Sequence, residues 1–298
     1  MATTISDLVD KTRSMVFGGS ADTLNVLADD YVAGSGNLRL QYPNRGISNG
    51  SLLSVGLNTL YVLAANGDGS SFTVLPSADG GPDTNVISGT VVRCRPKVTT
   101  WAVFREIHDA IVDMASPKTG LFQALSFTST VRHNSSTYPL PQDWWDDALG
   151  PQRLVRARYR ETGTDNWLPL HSAEYQVERY AVRVVHEPEN ALQYEFTFGF
   201  PFYSPQALDD TCDDLGLTEK SQQDIPPLRA AARLSLGVEG RRTQPFAQGD
   251  SRRPEEVPIT ASLSVSREFD RQYREAVMAE RSRLVGLFGF QTRIGDEA

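Results

Sequence analysis

The sequence predicts an α+β fold: an N-terminal helix, a small β-barrel-like domain, a linking helix, an antiparallel β-sandwich, and a C-terminal helical pair ending in a long helix. Three observations predict it. Two regions, residues 38–95 and 121–202, consist of short alternating or β-branched runs separated by Gly, Asn, Asp and Pro. Apolar stripes of helical period lie before, between and after those regions. At 298 residues the chain is long enough to bury a full core. The resulting divisions are 1–98, an N-terminal helix with a small β domain; 99–118, the linking helix; 119–205, the sandwich; and 206–298, a helical region.

In chain order, Leu8, Val9, Thr12, Val16 and Phe17 recur at near-helical spacing before Gly18-Gly19, which marks a short amphipathic helix with a glycine stop. Residues 38–42, 59–63, 71–75 and 90–94 read as strands, with turns such as Asn66-Gly67-Asp68-Gly69 and Asp79-Gly80-Gly81-Pro82 between them. Their spacing is that of a small barrel or curled sheet. Thr99 or Thr100 caps a helix that carries Val103, Phe104, Ile107, Ile111 and Met114 on one side, and Pro117 limits its continuation. Strands follow at 124–131, 154–160, 180–186 and 193–200. The alternation in Arg156-Ala157-Arg158-Tyr159-Arg160 gives one wet face and so a sandwich. Pro226 and Pro227 suit a helix start ahead of the Ala- and Leu-rich residues 228–236, and residues 239–258 are polar and read as an exposed connection. From 266 to 288, Phe269, Tyr273, Val277, Leu284 and Leu287 form the stripe of a long terminal helix.

Charge and composition narrow the function. The net charge of -8 speaks against gripping nucleic acid by phosphate neutralisation. Residues 1–219 hold 16 basic and 26 acidic side chains, and residues 220–298 hold 13 and 11. Of the 29 basic residues only Lys11, Lys97, Lys118 and Lys220 are lysine. Arginine favours planar pairing with carboxylates across interfaces, although a GC-rich genome produces the same bias. No run of eighteen apolar residues reads as a membrane span, and the start has no signal-peptide pattern, so a soluble protein made in the cytoplasm is expected. Cys94 and Cys212 lie far apart without metal-ligand spacing, and the simplest reading of each is a buried thiol.

The sequence shows no motif for nucleotide binding, hydrolysis or metal-assisted chemistry. His108, His133, His171 and His186 fall in separate expected elements, and neither catalytic residues nor a cofactor is expected. The stretch Pro141-Gln142-Asp143-Trp144-Trp145-Asp146-Asp147 has two readings: a sugar platform or cation site built from indoles and carboxylates, or a turn with one Trp covering the sandwich core.

Two stretches resemble tailed-bacteriophage head-to-tail adaptors, the ring proteins that follow the portal. The first is residues 60–116: a strand, a polar turn, Phe72-Thr73-Val74-Leu75-Pro76, a Gly-rich loop, Gly89-Thr90-Val91-Val92, and an amphipathic helix. The second is Asp224-Ile225-Pro226-Pro227-Leu228-Arg229-Ala230-Ala231-Ala232-Arg233-Leu234, followed by Gln248-Gly249-Asp250-Ser251-Arg252-Arg253 and the terminal helix, similar to adaptors of actinobacterial phages. The resemblance implies a virion neck protein in a dodecameric ring, contacting the portal and the next neck or tail protein, with DNA passing through the channel unread. Heterologous contacts that close under rotation build such rings. Arg229, Arg233, Arg252, Arg253, Arg267, Arg271, Arg274, Arg281 and Arg283 are the candidate interface residues, together with Trp144 and Trp145. The Gly-rich loop 66–85 is expected to order on assembly. The competing expectation is a carbohydrate- or receptor-binding module with Trp144 and Trp145 as its platform.

Overall fold

The computed structural model describes residues 2–17, 22–116, 119–131, 135–144, 151, 153–178, 180–242 and 261–288, without the side chains of 237–242 and 261–262. The chain is α+β and forms two compact units. The first combines residues 1–111, 204–215 and 219–276; the second combines 112–203, 216–218 and 277–298.

The first unit opens with α1 (Ile5–Phe17). Thr4 and Asp7 cap it reciprocally: the Thr4 amide donates to Asp7 Oδ2 at 2.9 Å, and the Asp7 amide donates to Thr4 Oγ1 at 3.3 Å. Ile5, Leu8, Val9 and Thr12 form its buried side. The expected Gly18-Gly19 stop lies outside the described residues. An antiparallel sheet follows, made of β1 (Thr23–Val26), β2 (Asn37–Arg39), β3 (Leu52–Val55), β4 (Asn58–Ala65), β5 (Ser71–Leu75) and β6 (Val91–Cys94), in the order β1-β6-β3-β4-β5-β2. One face buries Leu38, Leu53, Val55, Leu60, Val62, Phe72, Val74, Val92 and Cys94 in a common core. The barrel suggested by the sequence does not close. The edge strands β1 and β2 meet only just beyond their ends, at an isolated Leu27–Leu40 bridge, because a three-residue β2 is too short to carry a closing ladder.

Loop 76–90 is tied to its own unit. Asp79 Oδ2 accepts from Thr59 Oγ1 at 2.8 Å and from Thr99 Oγ1 at 2.6 Å. Asn58 grips Thr84 in both directions. Asp83 accepts from the buried Tyr31 hydroxyl at 2.9 Å and from the Gly34 amide at 2.7 Å. The contacts that hold this part of the Gly-rich loop are therefore already made within one chain.

The helices of the first unit are α2 (Thr100–Met114), whose last residues belong to the second unit, α3 (Lys220–Gln223), α4 (Ile225–Arg242) and most of α5 (Ala261–Phe288). Thr99 Oγ1 caps α2 by accepting from the Ala102 amide at 3.2 Å. Arg13 of α1 is 7% exposed; it donates to Asp22 at 2.8 Å and to Thr100 Oγ1 at 3.0 Å, which links α1 to the start of α2.

The second unit is the expected sandwich. Its strands are β7 (Gln123–Thr130), β8 (Thr137–Pro139), β9 (Arg153–Glu161), β10 (Trp167–Pro169), β11 (Tyr175–Glu178), β12 (Ala181–Val184) and β13 (Ala191–Phe200). A four-stranded sheet β10-β9-β13-β7 and a three-stranded sheet β11-β12-β8 share one core, to which Tyr138, Val182, Val184, Tyr194, Phe196 and Phe198 all contribute.

Candidate functional site

Two arginine arrays are the most chemically distinct features of the surface. The first lies on the outer face of the four-stranded sheet. Alternation along β9 sets Arg156, Arg158 and Arg160 on one side, about 6.6 Å apart at the usual strand rise. A bulge then brings Arg153 to the same side: Leu154 pairs with Phe198 and Arg156 with Thr197, leaving Val155 as the extra residue. Glu195 of β13 is the acceptor in this row, its side chain 12% exposed. It takes a two-pronged contact from Arg158, at 2.9 and 2.8 Å, and a bond of 3.2 Å from Arg156. The guanidiniums also lie over rings, Arg153 over Phe122 at 4.5 Å, Arg156 over Phe288 at 5.1 Å and Arg158 over Trp167 at 4.9 Å. The row is thus fixed in place by its own chain, with Glu195 taking the donors of Arg156 and Arg158 and aromatic rings covering the guanidinium faces.

The second array follows α5. Helical period puts Arg267, Arg271, Arg274, Met278 and Arg281 on one stripe, and all five are exposed. Ser266, Tyr273, Glu280 and Leu284 are buried on another side. In the first unit α5 is fixed to α4 by Ser266 Oγ donating to the Ala232 carbonyl at 2.8 Å, and by Arg229 bonding Asp270 at 2.8 Å while lying 5.2 Å from the Tyr273 ring centre. Arg271 is held between Glu268 and Glu275, and Arg274 pairs with Asp270 at 2.6 Å. Arg271 lowers the Glu268 carboxyl to about 2, first through its hydrogen bonds. In the second unit Arg283 pairs with the buried Glu280 at 2.7 Å.

The residues singled out from sequence therefore divide into groups. Arg267, Arg271, Arg274 and Arg281 are exposed on one stripe. Arg229 and Arg283 are committed to intramolecular carboxylates, as is Arg233, which reaches Glu106 at 3.4 Å and Asp109 at 3.7 Å on α2. Arg252, Arg253 and Trp145 lie outside the described residues. Trp144 is 9% exposed and packs edge-on against Phe127, Phe198 and Phe200, with centroids 5.6, 5.8 and 5.0 Å away. This is the geometry of the second reading of stretch 141–147, a Trp that covers the sandwich core. An indole enclosed by three phenyl rings has no face left for a ligand.

Neither a family model nor a curated protein matches this chain.

The β9 row was not singled out from sequence, although its signal, arginine at every second position, was visible there. What pairing adds is Glu195 opposite the row and Arg153 brought in by the bulge. A pocket of about 440 Å³ in the first unit is lined by Asp29, Asp30, Tyr31, Asn37 and Arg39, among others. Asp29 faces Arg39 at 3.6 Å, and hydrogen bonds from Ser88 lower the Asp30 carboxyl, the wrong direction for a general acid. Among the described residues no group of three His, Cys, Asp or Glu side chains is placed to hold a metal. Cys94 and Cys212 are buried, and burial pushes both thiols up to about 11, away from nucleophilic reactivity at neutral pH. No helix among the described residues is long and apolar enough to cross a membrane.

Proposed function

We propose that this chain is a structural subunit of a tailed-phage neck, a head-to-tail adaptor whose copies close into a ring between the portal and the next neck or tail protein. The supporting observation is spatial. The two stretches that resemble adaptors, 60–116 and 224–234, belong mainly to one unit, where Arg233 of α4 reaches Glu106 and Asp109 of α2. Segments more than a hundred residues apart are brought together as parts of one module, which agrees with their joint resemblance.

The exposed α5 stripe supplies a contact face for an acidic partner. Arg267 and Met278 are its exposed handles, and Met278 is 70% exposed. Arginine and methionine are both enriched at protein interfaces. The acidic balance of residues 1–219 suits a channel wall along which DNA slides rather than sticks.

The test is cryo-electron microscopy of intact particles, with incorporation of an Arg267→Glu/Met278→Glu variant measured in parallel. Density for this chain in a ring below the portal, and loss of the variant from particles despite unchanged folding, is the expected result. A neck without this chain overturns the proposal, and normal incorporation of the variant removes α5 as the contact face.

A further inference from the structure

Sheet edges in this protein differ in how they are protected. β2, β8 and β10 have three residues each, the last two ending in Pro139 and Pro169; β1 and β11 have four, and β11 ends in Glu178. Brevity, proline and charge are the devices by which natural sheets keep edges from recruiting foreign strands. β7 has none of them. It is eight residues long, Gln-Ala-Leu-Ser-Phe-Thr-Ser-Thr, without charge or proline, and its register against β13 runs unbroken from Gln123–Phe200 to Thr130–Gln193.

The hydrogen-bond parity of this strand follows from one contact. The Val131 amide donates to the Leu192 carbonyl at 2.9 Å, so Thr130 and Gln193 are a non-hydrogen-bonded pair. Stepping back along the register, the backbone groups of Ser129, Phe127, Leu125 and Gln123 turn toward β13. Those of Thr130, Thr128, Ser126 and Ala124 turn away from it. Ser126 Oγ and Thr197 Oγ1, 2.7 Å apart, fit this assignment, because non-hydrogen-bonded pairs bring side chains closer. All four outward residues are exposed. Among the described residues, the edge thus presents alternating donors and acceptors that no neighbouring strand takes up.

We infer that β7 receives β7 of a second copy, antiparallel across a two-fold axis, joining two four-stranded sheets into one of eight strands. The occupant follows from length and charge. A strand that saturates this edge must match its span and bring no buried charge to it, and β7 is the edge strand of the described residues with both properties. Parity, together with the pairing of all four outward residues, fixes the register. Outward residues must meet outward residues, so Ser126 pairs with the partner's Thr128, Ala124 with the partner's Thr130, and Phe127 lies opposite the partner's Phe127. No like charges face each other in this arrangement. Leu125 and Phe127, half-buried at the core side of the edge, gain apolar cover from their own counterparts. Such a contact is isologous, unlike the heterologous contacts of a ring, so it describes the free subunit and does not depend on the neck reading.

Sedimentation equilibrium and amide hydrogen exchange on the full chain test the pairing. The expected mass is twice 32.9 kDa at micromolar concentration. The outward amides of Ala124, Ser126, Thr128 and Thr130 should be protected as well as their inward neighbours and lose that protection on dilution. Thr128→Pro removes an outward N–H that the β13 ladder does not use, and should weaken the dimer at least tenfold with circular dichroism unchanged. If that variant misfolds, Thr128→Lys, at an exposed side chain, places a charge at the seam and should have the same effect. A monomer at all concentrations, the result also expected if another protein supplies the strand, overturns the inference. So does a dimer or larger ring that both variants leave intact, or fast exchange of the outward amides in the associated form.

Discussion

Replacing Trp144 by alanine separates a structural indole from a binding one. The side chain is 9% exposed and meets Phe127, Phe198 and Phe200 at interplanar angles of 86°, 70° and 77°, the edge-to-face geometry favoured by ring quadrupoles. Burial of about 200 Å² at about 25 cal/mol/Å² contributes roughly 5 kcal/mol, and Trp→Ala truncations in cores cost about 3–5 kcal/mol. Three edge contacts of about 0.5–1.5 kcal/mol each lie partly within that figure. The expected loss is therefore about 4 kcal/mol for the sandwich unit, read by urea unfolding followed by near-ultraviolet circular dichroism. A loss below about 1 kcal/mol would refute the packing argument, since a fully enclosed indole cannot be removed so cheaply. Glycan binding by the wild-type chain that disappears in a stably folded Trp144→Ala protein would instead restore the binding-module reading.

Three further outcomes are expected. Asp22→Ala leaves the Arg13 and Arg93 guanidiniums, now 2.8 and 3.7 Å from that carboxylate, without their shared counter-charge; with Arg13 buried, chemical denaturation should show a loss of about 3–5 kcal/mol. Glu195→Gln keeps the volume but removes the charge that fixes Arg156 and Arg158, and because both arginines are nearly one-third exposed the thermal unfolding midpoint should report only about 1–3 kcal/mol. Both thiols favour the neutral form in the folded state more than in the unfolded one, so their contribution to stability is complete below about pH 9 and is lost as pH rises toward about 11; alkylation of Cys94 and Cys212 at pH 8 should stay slow until the protein unfolds. Rapid native-state alkylation at that pH would contradict their burial.

The elements with strong local periodicity were legible in the sequence. The stripe Leu8 to Phe17 falls within α1, residues 71–75 occupy their expected bounds, and the central helix begins at Thr100 behind Thr99, one of the two caps read for it. The segments that sequence reading passed over carry weak local signals. β1, Thr-Leu-Asn-Val, and β3, Leu-Leu-Ser-Val, are four residues long, and their strand identity comes from pairing with β6 rather than from alternation. β8, β10 and β11 are similarly short; β8 pairs with the distant β12, whereas β10 and β11 are the short arms of hairpins with β9 and β12. Sheet closure was not legible either, because it depends on whether two edges meet, a property of strand twist and length. The tryptophan pair shows the same limit at a site: Trp144 sits in a polar, acidic stretch, and only the phenyl rings of β7 and β13 determine that its indole turns inward.

Arginine content alone does not tell which guanidiniums a second molecule can engage. Arg229, Arg233 and Arg283 were as attractive as Arg267 in the sequence, yet each meets a carboxylate of its own chain, Asp270, Glu106 and Glu280 respectively. A guanidinium already engaged by a partly buried acid gains little from a second partner, since its planar donors are spent and desolvating the pair is unfavourable. The cations left for another molecule are those on the exposed stripe of α5, where intramolecular pairs such as those of Arg271 and Arg274 are solvent-exposed and screened. An acidic partner laid along that stripe competes on nearly equal terms with Glu268, Glu275 and Asp270, and excluding water from the contact would strengthen the exchange. Binding through α5 should therefore weaken steeply with added salt, whereas the Arg229–Asp270 bridge that fixes the helix to α4 should persist. Salt-insensitive incorporation into particles would exclude a contact made by this stripe.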